Sequence, residues 1–357
     1  MFNPDFFKDK SVFITGHTGF KGTWLCCMLI GFGAHVTGYA LDPPTDPNLF
    51  ELARFASKAG QLANFTSVIG DIRDYNSLKS AFDHAHPEIV IHMAAQPIVR
   101  DSYADPAYTY ETNVMGTVNI LECIRNSNFV RSFLNVTTDK VYMNLEQQRG
   151  YTENDELDGF DPYSNSKSCS ELVTKTYKRS FWKYGSPAIS TARAGNVIGG
   201  GDFAHDRIIP DCVRAACTGE DIIIRNPHST RPFQHVLEPL CAYLMIVQRQ
   251  YEDPSLAGSY NVGPDVSDCI TAGQMADLFV KYWGDGIRWI DRSDNGPHEA
   301  GFLHLDCTLL KNTFGWHPRW NIETAVCKTV EWYKLWHKGG DLRACMDSQI
   351  RDYLANN

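Results

Sequence analysis

The chain has 357 residues, enough to bury a large core and to form two lobes. Its apolar, charged and glycine fractions are those of an ordinary globular protein, and a net charge of -9 argues against a general nucleic-acid or anionic-membrane binder. Eleven scattered cysteines without a CxxC pair read as thiols in a reducing cytoplasm rather than as disulfides or zinc ligands, so no metal is expected.

The first ten residues lack the long apolar run of a signal peptide, and Trp24 to Phe32 is broken by glycine and too short to span a bilayer. From there, SVFIT (11–15), HVTGYAL (35–41), TSVIG (66–70), EIVIHM (88–93) and SFLNVTT (132–138) read as buried strands. Between them, 21–32, 75–85 and 112–126 carry apolar residues at helical spacing. A further strand, AISTARA (188–194), closes this half. Such alternation predicts an α/β, doubly wound parallel sheet of the Rossmann kind. Residues 195–202 read as a loop, 208–217 and 322–337 as helices. The second half mixes element types, which predicts a smaller, mixed α/β C-terminal lobe. The expected division is 1–194 and 195–357, interleaved by a segment near 235–263 that returns to the sheet.

After the first strand come Gly16, His17, Thr18, Gly19, Phe20, Lys21 and Gly22, then a helix. This GxxGxxG turn allows close approach of backbone to a pyrophosphate, with the helix N-terminus supplying amides and positive dipole. It predicts a dinucleotide cofactor. No arginine follows the second strand to hold a 2′-phosphate, which favours NAD over NADP. Asp42 is placed either to hold the ribose or to start the proline-rich turn. Asp71 and Ile72, past the third strand, border an adenine ring or form a turn cap.

Tyr163 and Lys167 stand at i and i+4, on one helix face, following the end of the fifth strand at Thr138 by one loop. A nearby ammonium lowers a tyrosine's pKa, so the pair predicts a base working near neutrality.

With these blocks in view, the chain resembles the extended short-chain dehydrogenase/reductase superfamily, and within it the nucleotide-sugar dehydratases and epimerases. TGHTGFKG, GDIRD (70–74), HMAAQ (92–96), TNVMGT (112–117), YSNSK (163–167), RAGNVIGGGD (193–202) and RPFQHV (231–236) each match a family block. An acid after the threonine is similar to 4,6-dehydratases, and the order Thr138-Asp139-Lys140 is similar to the branch that takes CDP-glucose. The resemblance implies NAD held also by Ala94, Ala95 and Asn113, and a sugar nucleotide held by Gln96, Thr138, Asn196, Arg207 and Arg231. It implies Tyr163 as base at O4, Asp139 as acid at C6 and Lys140 as base at C5, in a path to deoxy and dideoxy sugars such as those of O-antigen. A homodimer or homotetramer in the cytoplasm is the matching expectation.

Adjacent opposite charges lower an Asp pKa and raise a Lys pKa, the wrong direction for a neutral acid and base. Either burial offsets this or the pair shares a proton. Arg193 reads as a structural ion pair and His235 as a core histidine, while His205 borders the ligand or faces solvent. His298 and Glu299 match a family block without a derivable role. Another sugar nucleotide, an epimerase and an idle NAD-binding regulator remain as alternatives.

Overall fold

The computed structural model describes residues 2–53, 63–147, 149–182, 186–292 and 303–355. Its first half alternates β1 (Ser11–Thr15), α1 (Phe20–Gly31), β2 (His35–Ala40), the short α2 (Leu49–Leu52), β3 (Phe65–Ile69), α3 (Tyr75–Ala85) and β4 (Ile89–His92). Then come α4 (Val99–Ala104), α5 (Pro106–Tyr110), a π turn (Glu111–Met115), α6 (Gly116–Arg125), β5 (Ser132–Thr138), α7 (Pro162–Phe181) and β6 (Ala188–Ala194). Beyond lie β7 (Val197–Ile198), α8 (Ile208–Thr218), β8 (Ile222–Ile224), β9 (Thr230–Arg231), β10 (Gln234–His235), α9 (Leu237–Glu252) and β11 (Ser259–Val262). The chain closes with β12 (Ile270–Thr271), α10 (Ala272–Trp283), β13 (Trp289–Asp291), α11 (Thr308–Phe314), α12 (Ile322–His337) and α13 (Leu342–Ala355).

Seven strands pair in parallel in the order β11-β6-β5-β4-β1-β2-β3, the α/β doubly wound sheet expected. β4, β5 and β6 are buried along their whole length, because helices cover both faces. β3 departs from the expected buried strand: it is the sheet edge, and three of its five residues are exposed or nearly so. The stretch 195–202 also departs from a plain loop, since Val197 and Ile198 pair with Gln234 and His235.

Separate apolar cores fill the two faces. One packs Phe13, Leu78, Phe82, Ile120 and Phe133 beneath α3 and α6. The larger joins α1 and α9 to Trp316, Trp320, Trp332 and Tyr353 of the C-terminal part. Asp74 starts α3 by accepting the Asn76 and Ser77 amides at 3.0 and 3.1 Å. Asp161 starts α7 by accepting the Ser164 amide at 2.9 Å, with Pro162 leading the first turn. That cap puts Tyr163 on the first turn of α7, at the C-terminal edge of the sheet, and Lys167 one turn deeper. Among the described residues no helix is long and apolar enough to cross a membrane.

Candidate active site

The turn between β1 and α1 is shaped by two of its three glycines. Gly16 has φ +81°, and a Cβ there would stand 2.8 Å from the Ala94 amide nitrogen. A Cβ on Gly22 would stand 2.1 Å from the Gly16 carbonyl oxygen, so the helix lies directly on the turn. Gly19 caps α1 without any side-chain hydrogen bond, which leaves the first amides of the helix open to an anion. A cradle too tight for a methyl group, with free amides above it, fits a pyrophosphate. Thr18 Oγ1 donates to the Leu41 carbonyl at 2.9 Å, tying the turn to the end of β2.

His17 belongs to the turn by its backbone alone. Its ring points away, packs on Phe50 and Phe65, and bonds Ser67 Oγ at 2.7 Å, with burial taking its pKa down to about 4. Asp42 is exposed at the mouth of this edge. The Asp71 carboxylate accepts the Arg73 amide at 2.9 Å and pairs with its guanidinium at 2.7 Å, which is the turn-cap geometry. That guanidinium holds Asp71 below the usual carboxylate range. Ile72 is buried against Gly116.

At the end of β5, Thr138 Oγ1 donates to Asp139 Oδ1 at 3.0 Å, and both residues lie within electrostatic reach of the Tyr163 phenol. Asp139 is 1% exposed and its Oδ2 has no hydrogen-bond partner. Burial raises its pKa against the lowering pull of Lys140, Thr138 and Arg231. The sequence left open whether burial could outweigh the adjacent lysine; here it does. The carboxyl is biased toward the neutral, proton-donating form.

The tyrosine is a correction. Burial pushes Tyr163 up to about 12, and Lys167 is not among the leading influences on it. Lys167 Nζ donates instead to the Val136 carbonyl at 3.3 Å. Burial, then the like charge of Lys21, lowers Lys167 to about 7. Lys21 is itself lowered to about 8 by burial and Arg207, and it also feels Asp139 and Asp202. Three candidate cations act on the pair: Arg207 on Tyr163, and Lys21 and Arg231 on Asp139.

Other candidates are taken up elsewhere. Gln96 is turned into its own loop, bonding the Ile98 carbonyl and Thr109 Oγ1 at 3.0 and 3.1 Å. Asn113 bonds the Gln96 amide, the Gln96 carbonyl and Ser166 Oγ, so its amide locks the π turn to α7 and faces protein on each side. Arg193 pairs with Glu171 at 2.9 Å, both side chains buried. His235 is a core ring between Trp24 and Trp320. His205 pairs with Asp101 at 3.1 Å on the surface. Asn196 accepts the Gln234 amide through its backbone at 3.0 Å. His298 and Glu299 lie outside the described residues.

Sequence reasoning missed Asp202 and Tyr243. Asp202 fixes Arg207 at 2.8 Å, and it stands at the end of the GGGD run, which was a usable signal. Tyr243 lies under Lys21, 5.9 Å from ring centroid to Nζ, and within electrostatic reach of Tyr163. It sits in the apolar run of α9, where nothing marks it.

Comparison with known proteins places this arrangement. The GDP-mannose 4,6 dehydratase family model matches residues 13–329. The chain belongs to that family. It is 45% identical to the CDP-glucose 4,6-dehydratase of Salmonella typhimurium, covering 99% of each chain. A probable dTDP-glucose 4,6-dehydratase of Sinorhizobium fredii is 28% identical over 90% of this chain and 92% of its own. Among solved structures, dTDP-glucose 4,6-dehydratase from Bacillus anthracis in complex with NAD superposes with a TM-score of 0.75 at 21% identity, covering 93% of this chain and 98% of the other. An epimerase from Methanothermobacter thermautotrophicus gives 0.80 at 20% identity, covering 94% and 95%. At such identities the structural likeness speaks for the fold. In this family the acid following Thr138 is the feature of chemical interest, and here it is buried with one oxygen unpartnered.

Proposed function

We propose that this family member is an NAD-dependent lyase converting CDP-glucose to CDP-4-dehydro-6-deoxyglucose and water. The observation that carries the reading is the buried Asp139, which accepts from Thr138, lies within electrostatic reach of Tyr163 and is followed by Lys140. The full-length likeness to the Salmonella enzyme supports cytidine as the base. The Gly16–Gly22 turn and the open amides of α1 would hold the pyrophosphate, with Lys167 toward the ribose. Bound NAD would take hydride from C4 and return it to C6.

The chain's own residues handle the protons. Tyr163 receives the O4 proton, and Thr138 holds O4 beside it. The C4 ketone makes the C5 proton acidic, and Lys140 removes it. Asp139 protonates the departing C6 hydroxyl, which leaves as water, and Lys140 returns a proton to C5. Two protons leave the sugar and two are delivered; Tyr163 ends one proton richer and Asp139 one poorer, so a proton passes from Tyr163 to Asp139 to reset the site. Burial favours the neutral Asp139 that this step needs. The high Tyr163 pKa must fall before O4 is deprotonated, and the positive charge of a bound nicotinamide acts in that direction. Arg207 and Arg231 suit a diphosphate, being planar donors fixed beside the site.

We infer a cofactor lobe over 1–194 completed by β11, and a sugar-nucleotide lobe over 195–357. Its eleven free thiols suit the reducing cytoplasm. Tyr103, Met115, Leu172 and Phe181 are each about half exposed on α4, the π turn and α7, which supports a homodimer through these helices. Leu172→Glu is expected to halve the mass seen by light scattering; an unchanged mass removes this face.

The experiment is incubation of the purified protein with NAD and CDP-glucose, dTDP-glucose or GDP-mannose, reading the base-induced absorbance of a 4-keto sugar. Turnover of CDP-glucose above the others is the expected result. Preference for another base reassigns the substrate, and NAD binding with no turnover of any sugar favours a regulator.

A further inference from the structure

His92 ends β4 in the middle of the sheet, 1% exposed, and none of the proposed steps uses it. Its surroundings determine where its proton sits. Thr15 Oγ1 accepts the Met93 and Ala94 amides at 3.0 and 3.1 Å and lies 2.7 Å from His92 Nδ1. The Ala94 amide and a Met93 amide shared with the Thr15 carbonyl use that oxygen as an acceptor, and the hydroxyl's own hydrogen is directed to Nδ1.

The other ring nitrogen follows. Nε2 is 3.2 Å from Thr117 Oγ1, which itself donates to the Asn113 carbonyl at 2.7 Å. Thr117 is therefore an acceptor toward the ring, and Nε2 carries the hydrogen. Ser170 Oγ, taking Asn135 Nδ2 at 2.9 Å, completes the count by donating to Thr117 at 2.9 Å. A second ring proton would point at a Thr15 oxygen that already accepts the Ala94 amide. It would also be a buried charge near Lys167, and burial, then that lysine, already lowers the ring. His235 makes the contrast: the Leu237 amide donates to its Nδ1 at 3.3 Å, but its buried Nε2 has no partner and ties the ring to nothing further.

These bonds join three parts of the site. Thr15 is the residue before the phosphate turn, and Ala94 is the wall against Gly16. Asn113 bonds Ser166, the neighbour of Lys167. We propose that His92, fixed as the neutral Nε2–H tautomer, is a positioning residue that registers the cofactor turn against the helix face carrying Lys167. This rests on reading the Gly16–Gly22 turn as the dinucleotide site.

Two variants separate the two bonds. Asn places an amide oxygen where Nδ1 stands and falls short of Thr117; Gln places an amide nitrogen near Nε2 and leaves Thr15 without its acceptor. His92→Gln is expected to weaken NAD binding about tenfold by calorimetric titration, with NADH formation in the first turnover within about threefold of wild type at saturating NAD. His92→Asn is expected to do the reverse, keeping NAD affinity within about threefold and slowing first-turnover NADH formation about tenfold or more. Parallel losses in both variants that track melting temperature, or no loss in either, overturn the proposal. Wild type failing to bind NAD would instead sink the reading of the turn. Nitrogen-15 spectra of labelled wild-type histidines give a test free of mutation. A hydrogen on Nε2 alone from about pH 5 to about pH 8 supports the assignment, and one on Nδ1, or a titration in that range, refutes it.

Discussion

Lys140 and Lys167 divide the work of the site by burial. Lys140 is half-buried just past β5, next to Asp139, and is the residue proposed as the base at C5. Lys140→Gln is expected to leave C4 oxidation, seen as NADH in the first turnover, while C5 exchange with deuterated solvent falls about a hundredfold or more. Undiminished exchange would remove Lys140 as that base. Lys167 is buried, and burial with Lys21 nearby brings it down from 10.5 to about 7. Between those values the unfolded chain holds the proton and the folded one does not, so stability rises with pH across that window. Below about 7 the folded lysine is charged and the burial cost is whole. Lys167→Met is therefore expected to melt higher than wild type without cofactor at about pH 6, and by a smaller margin at about pH 9, while losing turnover. A margin independent of pH would show that Lys167 is not a buried cation.

At the scale of elements, the phosphate turn makes the clearest demand. Gly22 packs α1 on the Gly16 carbonyl with no room for a methyl group. Gly22→Ala is expected to weaken NAD binding more than about tenfold, roughly 1.4 kcal/mol, with circular dichroism showing a folded chain. Retained affinity would mean the turn relaxes without consequence. This turn was legible because strand, glycine spacing and helix are all local. So were β5, β6 and α12, whose bounds agree with the expected 132–138, 188–194 and 322–337. The π turn at Glu111–Met115 was not, because apolar spacing reports an average helix and a single wide turn leaves it nearly unchanged. β3 read as buried because its residues are β-branched, although its place at the sheet edge depends on which strands pair. α13 was not expected, although its buried Leu342, Met346 and Ile350 stand at helical spacing. For the site, Tyr163, Thr138 and Asp139 came together as spacing implied. Gln96 and Asn113 matched a family block equally well, yet the Gln96 amide is spent on Ile98 and Thr109 and the Asn113 amide on the Gln96 backbone and Ser166. Residue type shows what a side chain is able to bind, and only the fold shows what reaches it first.

At the scale of the whole molecule, the question is what holds the C-terminal elements on the sheet. α9 runs through the larger core and carries Glu238, 1% exposed, at its start. That carboxylate accepts the Arg319 and Trp320 amides at 3.0 and 2.7 Å and the Tyr353 hydroxyl at 2.6 Å. One side chain thus gathers α9, the loop before α12, and α13. Burial raises Glu238 from 4.5 to about 7, outweighing the hydroxyl, the two amides and Arg319. Between those values the folded chain holds the proton and the unfolded one does not, so this group's contribution falls as pH rises and is least favourable above about 7. Gln keeps the oxygen for both amides and turns its nitrogen to the Tyr353 hydroxyl, without the charge. Glu238→Gln is expected to gain melting temperature over wild type as pH rises from about 5 to about 8, with little difference at the acid end. A difference that is flat, or that falls with pH, would mean the carboxylate is solvated in the native state. In that case the clamp on α13 would come from the packing of Trp320 against Tyr353, whose ring centroids lie 5.2 Å apart, and not from the hydrogen bonds.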